Sequence, residues 1–275
     1  MARPHTEFIE VKDIVTEPLI DDGSSTGIRV KRLSEDTATE AVSFFAIVPP
    51  LWVRLQSGYY ESAVEIFIIE GDLHIGEDHL TAGCFSYLPA GAFQGPASSE
   101  AGCRLMMLFD GPPSFHESDM EKPGAKENLR IRSLNTNSME WEVPPAFETR
   151  SLEETSSGVF VKWLRVDPET TAYTLMTKHE PGWQDPRPEA HSNWEELYLV
   201  EGDYLMGAFG MMTAGGYIFR PENIPHGPQA TKTGAVWLAR GNKMVDFALQ
   251  EVPYADDMVR RYMATAHLFL QVPSS

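Results

Sequence analysis

The sequence predicts an all-β protein made of two tandem β-barrels. Three observations support this class. The chain repeats itself at a nearly constant offset, each copy is rich in short apolar and β-branched segments punctuated by Gly, Pro and Asp, and helical periodicity is scarce. Evenly spaced short strands with turn signals are typical of β-sandwiches and barrels. Each copy is therefore expected to close one barrel.

The internal repeat defines the domain organisation. Gly27, in GIRVKRL, corresponds to Gly158, in GVFVKWL, at an offset of 131 residues. After the second EGD one residue is inserted, and an offset of 132 then relates LTAGCFSYLPAGAFQGP to MTAGGYIFRPENIPHGP. A register held over about 70 residues indicates a duplication. We predict domains at residues 1–135 and 136–275, connected by the polar, loop-like stretch 121–145.

Hairpins and one helix complete the predicted elements. The segments EGDLHIG and EGDYLMG are typical of a hairpin turn followed by a short return strand. The best helical pattern lies near the C-terminus, where Tyr254, Met258, Tyr262 and Ala266 recur every fourth position after Pro253. The sequence therefore adds a short C-terminal helix to the two barrels.

The amino-acid composition favours a globular protein and disfavours membrane-spanning, nucleic-acid-binding and disulfide-rich proteins. A length of 275 residues and a hydrophobic fraction of 42% allow two full cores. The formal net charge of −18 disfavours nucleic acid and anionic membranes as partners. No apolar run approaches the roughly 18 residues of a membrane span, and no signal-peptide core is evident. Cys84 and Cys103 are too few for a disulfide framework. We expect a cytoplasmic protein.

The candidate functional residues lie in the second copy, in PEAHSNWEELYLVEGD. Glu189, His191, Asn193 and Glu195 share a parity, and alternate residues of a strand face one side. They are therefore expected to project into the barrel, where His226 would join them from a Pro-rich turn. Imidazole and carboxylate suit Fe(II), Mn, Ni, Zn or Cu, and two His with one carboxylate form the facial set of non-haem iron oxygenases.

This pattern resembles the two motifs of the cupin superfamily, G-x5-H-x-H-x3,4-E-x6-G and G-x5-P-x-G-x2-H-x3-N. The spacing from His191 through Glu195 to Gly202 matches the core of the first motif, and that from Pro221 to His226 matches the second. The chain looks like a double-domain cupin over its whole length. The local sequence around these motifs is most similar to zinc-binding cupin domains of anti-sigma factors and to related bicupins. It is similar more distantly to ring-cleaving or diketone-cleaving dioxygenases.

One position departs from the family pattern. The first His of H-x-H is Glu189 here. The resemblance implies either a four-ligand site of Glu189, His191, Glu195 and His226, or a three-ligand site with Glu189 as an acid or base beside it. Both alternatives remain open at this point. The neighbouring Glu196 faces the other way on a strand and is assigned a structural role.

The first copy lacks these residue types. The positions of Glu189, His191, Glu195 and His226 are occupied there by Gly58, Tyr60, Val64 and Gln94. The first barrel is therefore predicted to be a scaffold with a degenerate metal site. His74 and His79 fall in a turn and return strand without a partner at ligand spacing, and are interpreted as ordinary surface histidines. His179 and Arg187 flank the motif, where they could reach the mouth of the pocket, but loop or surface positions are the favoured interpretation.

Two functions are compatible with these residues. The first is an enzyme that uses one divalent transition metal (Fe, Zn, Mn or Ni) on a small oxygen-rich molecule, as a dioxygenase-like oxidoreductase or as a lyase or isomerase. Glu189 is its candidate catalytic acid or base. The alternative is a non-catalytic sensor whose four ligands saturate the metal, as in structural zinc sites. The resemblance also implies a homodimer formed through strand exchange or sheet edges.

Overall fold

A computed structural model describes most of the chain. The described residues are 3–19, 24–144, 158–185, 188–245 and 248–249. The predicted C-terminal helix and Arg187 lie outside these ranges. Within them the regular secondary structure is almost entirely strand, with short 3-10 turns at Val11–Asp13, Glu127–Leu129, Thr136–Ser138 and Gly207–Phe209. The all-β prediction is therefore confirmed.

The chain divides into two compact units. The first comprises Met1–Pro4 and Asp13–Met139, and the second comprises His5–Lys12 and Glu140–Ser275. The short N-terminal segment contains strand β1 (Thr6–Glu10), which belongs to the second unit. Neither the repeat nor any motif predicts this placement.

The first unit contains strands β2 to β13. They are β2 (Glu17–Pro18), β3 (Arg29–Glu35), β4 (Val42–Val48), β5 (Trp52–Arg54), β6 (Gly58–Tyr60), β7 (Val64–Ile75), β8 (Asp78–Thr81), β9 (Cys84–Leu88), β10 (Ala97–Ser99), β11 (Cys103–Phe109), β12 (Phe115–Glu117) and β13 (Ile131–Asn135). Ten of them form one sheet with the order β13-β9-β7-β11-β4-β3-β2, to which β8 and β10 attach through β7 and β5 attaches through β10. Strands β6 and β12 form a separate antiparallel pair.

Part of the predicted connecting loop is a strand. Ile131–Asn135 pairs with Cys84–Leu88, with an irregularity between Ile131 and Leu134. This strand is difficult to predict from the sequence because only Ile131 and Leu134 are partly buried, and the residues between them face solvent. An edge strand with one interrupted apolar face lacks the regular alternation that would reveal it.

The second unit contains β1 and strands β14 to β23. The latter are β14 (Val159–Val166), β15 (Tyr173–His179), β16 (Gln184–Asp185), β17 (Glu189–Ala190), β18 (Glu195–Met206), β19 (Gly210–Thr213), β20 (Gly216–Arg220), β21 (Gln229–Ala230), β22 (Ala235–Gly241) and β23 (Ala248–Leu249). A nine-stranded sheet has the order β1-β20-β18-β22-β15-β14, with β16, β19 and β21 attached. Strands β17 and β23 form an antiparallel pair.

A long bent strand organises each barrel. The first part of β18 pairs with β20 and β22, and its last residues pair with β19 and β21. The change of partners coincides with Gly202, whose φ is +88°, and a Cβ there would lie 1.8 Å from the carbonyl oxygen of Gly234. Gly71 occupies the same place in β7, with φ of +86°. These positions require glycine because the backbones approach too closely for a side chain.

Each unit has its own apolar core. In the first unit the core includes Phe44, Phe109 and Tyr60, whose rings meet edge to face at centroid distances of 5.0–6.4 Å. In the second it includes Leu199, Tyr204 and Trp237. Burying side chains of this size stabilises each fold by roughly 1.5–3 kcal/mol apiece. No helix among the described residues is long and apolar enough to cross a membrane.

Both cysteines are structural parts of the first unit. Cys84 and Cys103 are free and buried, on strands β9 and β11. Burial raises the pKa of the Cys103 thiol to about 12. A thiol that ionises so reluctantly is a poor nucleophile, which fits a packing role.

Candidate metal centre

The backbone places Glu189 beside His226. Glu189 lies on the short strand β17, and its N–H donates to the carbonyl of His226 at 2.9 Å while the His226 N–H donates back at 2.9 Å. In the first unit, Gly58 and Gln94 form the equivalent isolated bridge. The repeat offsets of 131 and 132 residues therefore relate the same spatial pair in the two barrels. One pair carries a carboxylate and an imidazole, and the other carries neither.

A turn, and not strand alternation, brings the other residues together. Strand β17 ends at Ala190 and β18 begins at Glu195, so the expected continuous strand through His191 is wrong. The Asn193 side-chain amide donates to the Trp194 carbonyl at 2.8 Å, and the Asn223 N–H donates to the His191 carbonyl at 2.7 Å. Asn193 is thus part of the turn, and His191 is fixed from the loop that also carries His226.

Four side chains converge inside the second unit. Ligand atoms of Glu189, His191 and His226 all lie within 4.8 Å of one another. His226 Nε2 lies 3.5 Å from Glu189 Oε1 and 3.5 Å from Glu195 Oε1, and His191 Nε2 lies 3.8 Å from Glu195 Oε2. All four residues are at most 8% exposed. The residues singled out from the sequence therefore form one buried cluster.

The protonation of His226 suits a cation. Its Nδ1 lies 3.0 Å from the Ile224 carbonyl oxygen, which can only accept a hydrogen bond. Nδ1 must therefore carry the ring proton, and in the neutral ring Nε2 presents a lone pair toward Glu189 and Glu195. A lone pair facing two carboxylate oxygens is unfavourable, so this geometry suits either a second proton on Nε2 or a bound cation between these atoms. A backbone carbonyl that accepts the other ring N–H commonly orients histidines that bind metals.

Arg220 and Glu7 are charged neighbours of the cluster and form ion pairs at its edge. Arg220 is 2% exposed and donates to Glu195 Oε1 at 2.6 Å and to Glu7 Oε1 at 2.5 Å. Burial alone would raise the pKa of Glu195, but the charges of His226, Arg220 and His191 outweigh it and hold that pKa at about 2. Burial likewise opposes ionisation of Glu7, and its hydrogen bonds and charge interaction with Arg220 lower its pKa. Both carboxylates are therefore ionised at neutral pH.

The donors of the cluster suit a divalent ion. The carboxylates of Glu7 and Glu195 bind the guanidinium of Arg220, and those of Glu189 and Glu195 lie 3.5 Å from His226 Nε2. Buried charge is costly unless it is paired or coordinates a metal. Imidazole and carboxylate donors gathered in this way fit a divalent transition metal.

A polar chain leads from Glu189 to an aromatic cluster. Gln229 donates to Glu189 Oε1 at 2.7 Å and accepts from the Tyr204 hydroxyl at 2.6 Å. The Tyr204 ring meets His179 at a centroid distance of 5.2 Å, and His179 meets Trp183 at 4.3 Å. The His179 Nδ1 atom is buried without a hydrogen-bond partner. His179 therefore belongs to the interior of the barrel, which corrects its interpretation as a loop or surface position.

Two residues of the site, Arg220 and Glu7, belong to no sequence motif. For Arg220, however, a comparison of the two repeats would have indicated a role. Glu195 and Arg220 lie directly opposite on β18 and β20, and their counterparts in the first unit, Val64 and Leu88, are also directly opposite. The apolar pair of the first copy is thus an ion pair in the second. Comparing the aligned positions of the two repeats one by one could have identified it. Glu7 has no such signal because it lies in a segment outside the repeat.

Glu196 lies apart from the cluster. It accepts a 2.5 Å hydrogen bond from the Tyr217 hydroxyl and lies 3.7 Å from Arg240 Nε. It is 3% exposed. Its carboxylate is thus held on the opposite side of β18 from Glu195, where it fastens β18 to β20 and β22.

Comparison with solved structures finds the same fold at low sequence identity. A candidate dioxygenase from Nostoc punctiforme PCC 73102 aligns with a TM-score of 0.78 and 18% identity, over 90% of this chain and 87% of that chain. A deletion variant of Bacillus subtilis oxalate decarboxylase aligns with a TM-score of 0.57 and 13% identity, over 98% and 87%. The structure of oxalate decarboxylase from Bacillus subtilis at pH 4.6 aligns with a TM-score of 0.56 and 12% identity, over 98% and 86%.

These structures support the predicted cupin fold, with two barrels in one chain. No curated protein sequence matches the chain. Residues 7–247 match the profile of a family described as "Domain of unknown function (DUF4437)". Since this match covers most of the chain, the protein belongs to the DUF4437 family.

Proposed function

We propose that the protein is a metal-dependent enzyme whose active site is the buried cluster of the second barrel. Glu189, His191 and His226 would hold one divalent transition metal, and Glu195 would contribute its carboxylate beside them. The observation that carries this proposal is the convergence of Glu189, His191 and His226, whose ligand atoms all lie within 4.8 Å of one another. The Nε2 atom of His226 also faces two carboxylate oxygens at 3.5 Å each. Imidazole and carboxylate donors of this kind suit a divalent transition metal.

The arrangement favours a site that keeps an open position. The ligand atoms of Glu189, His191 and His226 all lie within 4.8 Å of one another, whereas one oxygen of Glu195 is paired with the charged guanidinium of Arg220 at 2.6 Å. Three strong ligands with an open position are typical of catalytic sites, whereas structural zinc is fully coordinated by protein. This feature favours an enzyme over the sensor suggested by the similarity to anti-sigma cupins. The sensor remains the second candidate, because four donor groups are within reach.

The metal would supply a Lewis acid and, as iron, redox chemistry toward oxygen-rich ligands. The protein's residues would do the rest. Gln229 would fix the orientation of the Glu189 carboxylate, and the aromatic side chains of Trp183 and Tyr204 would exclude water. Arg220 would keep Glu195 ionised. Glu189 would then serve chiefly as a ligand, and its role as a free acid or base becomes the less favoured of the two alternatives.

The substrate is proposed to be a small oxygen-rich organic molecule. Such molecules can offer pairs of oxygen atoms to a divalent ion, which a metal held by histidine and carboxylate accommodates. The structurally similar proteins are described as a candidate dioxygenase and as oxalate decarboxylase, and both descriptions fit this class. We propose dioxygenation or a lyase-type carbon–carbon cleavage as the reaction. Fold similarity by itself does not choose between them.

The metal content of the purified chain tests the proposal. We would purify the wild-type chain without chelators and measure bound transition metals by elemental analysis, beside the variants His226→Ala and His116→Ala. His116 is an exposed histidine of the first unit and serves as the matched control. We expect His226→Ala to lose a tightly bound metal that His116→Ala retains. Equal metal content in all three proteins would overturn the assignment of the site.

Activity provides the second part of the test. The metal-loaded chain would be offered a panel of small diketones, hydroxy acids and dicarboxylates, with oxygen consumption and carbon dioxide release as readouts. Turnover by the wild type and its loss in His226→Ala would support an enzyme. A fully four-coordinate metal without turnover of any panel member would favour the sensor.

A further inference from the structure

A second cluster of metal-binding residues lies on the surface of the first unit. Asp72, His74 and His79 each offer a ligand atom, and these atoms all lie within 4.8 Å of one another. Asp72 and His74 are half-buried, and His79 is exposed. The expectation that the two histidines lack a partner at ligand spacing is therefore wrong. They belong to a set of three donors that the hairpin assembles.

The hairpin explains why the three side chains meet. His74 on β7 lies directly opposite His79 on β8, and Asp72 precedes His74 by two positions. Residues two apart on a strand share a face, and opposite residues have Cβ atoms about 4.5–5.5 Å apart. The alternate residues Leu73 and Leu80 are buried on the other face. The tight turn through Gly76 fixes this register, so the donors are held together by the strands themselves.

The side chains are already partly oriented. The two imidazole rings are stacked, with centroids 4.1 Å apart and planes within 5° of parallel. The Asp72 carboxylate accepts the N–H groups of Ala101 at 3.0 Å and Glu100 at 3.3 Å. A carboxylate has about four lone-pair directions, so these bonds orient Asp72 and leave it able to bind a cation. Two imidazoles and a carboxylate with an open side are a suitable donor set for zinc.

The duplication shows that the fold does not need these histidines. In the second unit Leu205 lies opposite Met211 at the same positions of the equivalent hairpin, and they pack with Ala230. The equivalent of Asp72 is Asp203, which accepts the N–H groups of Lys232 and Thr233 in the same way. The aspartate is thus a loop-fixing residue in both copies. The histidine pair occurs in the first copy alone, and the equivalent hairpin of the second copy forms without it.

We propose that Asp72, His74 and His79 form a solvent-accessible binding site for a divalent transition metal, most readily zinc. The proposal does not rest on the proposed function, because the site lies in the other unit and shares none of its residues. Its exposed His79 and open side predict an exchangeable ion, in contrast to the buried cluster of the second barrel. The first barrel would then not be a mere scaffold, since it would bind a metal on its outer face.

The second copy supplies the test variant. The double substitution His74→Leu/His79→Met installs the pair found at these positions in the second unit, so the chain is expected to fold, as circular dichroism would verify. Zinc would be titrated into the chelator-stripped full chain against a chromophoric competitor. We expect the wild type to show a weaker class of bound zinc that the double variant loses and that His116→Ala keeps.

Two further comparisons separate this site from the buried cluster. In a His226→Ala background the weaker class should persist, and adding His74→Leu/His79→Met should abolish it. Asp72→Asn should weaken it, whereas the matched Asp203→Asn should not. A zinc titration that is unchanged by the double substitution in both backgrounds would overturn the inference, whatever the result at His226. An anomalous difference peak among the three side chains in zinc-soaked crystals would confirm it directly.

Discussion

Arg220 donates a hydrogen bond of 2.6 Å to Glu195, and the two residues lie directly opposite on neighbouring strands. The same guanidinium binds Glu7, which is 213 positions away in the sequence. Arg220 therefore links the N-terminal strand to the candidate metal-binding cluster. Because Arg220 is almost fully buried, its charge is little screened by solvent and acts strongly on these two carboxylates.

Removing Arg220 should be strongly destabilising. In Arg220→Met the carboxylates of Glu7 and Glu195 remain buried without their cation, which typically costs about 3–5 kcal/mol. The matched control is Arg104→Met, because Arg104 and its partner Glu70 are both more than half exposed. Exposed pairs contribute about 0–1 kcal/mol. Urea unfolding of the metal-free variants at pH 7 would measure both costs, and equal losses would contradict the role given to Arg220.

The repeated glycine at the bend of the long strands should be intolerant of any side chain. In Gly202→Ala the new Cβ would collide with the Gly234 carbonyl oxygen, 1.8 Å away, in addition to the strain of a positive φ. Gly182 has a similar φ of +83° with no atom within 4 Å, so Gly182→Ala carries the strain alone. We expect a loss of about 1–2 kcal/mol for Gly182→Ala and more than about 3 kcal/mol for Gly202→Ala. Thermal unfolding of the two variants would check the difference.

The sequence predicts the fold and the centre of the site because both are encoded by local spacing. The Gly, Pro and Asp punctuation is repeated in both copies, which reveals the strands and the duplication. The motif positions of His191, Glu195 and His226 follow from the same alignment, and the structure brings these side chains together. Whether they bind a metal stays a prediction.

Other features depend on contacts that local spacing does not encode. Glu7 reaches Arg220 only because β1 joins the sheet of the second unit. Tyr204 and Gln229 lie in apolar or Pro-rich segments, and their link to Glu189 depends on the path of β21 beside β18. His74 and His79 become neighbours only once the hairpin register is known. In each case a side chain gains its partner from strand pairing that no motif specifies.

His179 should make stability depend on pH. Burial lowers the pKa of its imidazole to about 4, although the charge of Glu189 opposes the shift. The unfolded chain, with a pKa near 6.5, binds this proton more readily. The native state therefore loses about 2 kcal/mol of stability as pH falls from 7 to 5, and the loss continues down to about pH 4.

A difference between two variants isolates this effect. His179→Phe keeps an aromatic ring beside Trp183 and Tyr204 but cannot be protonated. His116→Phe removes an exposed histidine and should keep the wild-type pH dependence. We would compare the urea unfolding free energies of the metal-free proteins at pH 7 and pH 5. An equally steep pH dependence in His179→Phe and in the wild type would show that another group titrates.

Gln229 should control metal affinity without touching the metal. Its amide donates to Glu189 Oε1 at 2.7 Å and is itself fixed by the Tyr204 hydroxyl at 2.6 Å, so it determines how the Glu189 carboxylate faces the two histidines. Loss of such an orienting partner typically weakens metal binding by about 10–100-fold. We therefore expect Gln229→Leu to reduce affinity by this factor, and Tyr204→Phe to reduce it less, because Gln229 itself remains.

Gln184→Leu is the matched control, since Gln184 is exposed on the strand that pairs with β21. Competition with a chromophoric chelator would measure all three. If Gln229→Leu bound metal as tightly as Gln184→Leu, then Glu189 would be held by the backbone bridge to His226 alone, and the polar chain to Tyr204 would serve only to pack the barrel.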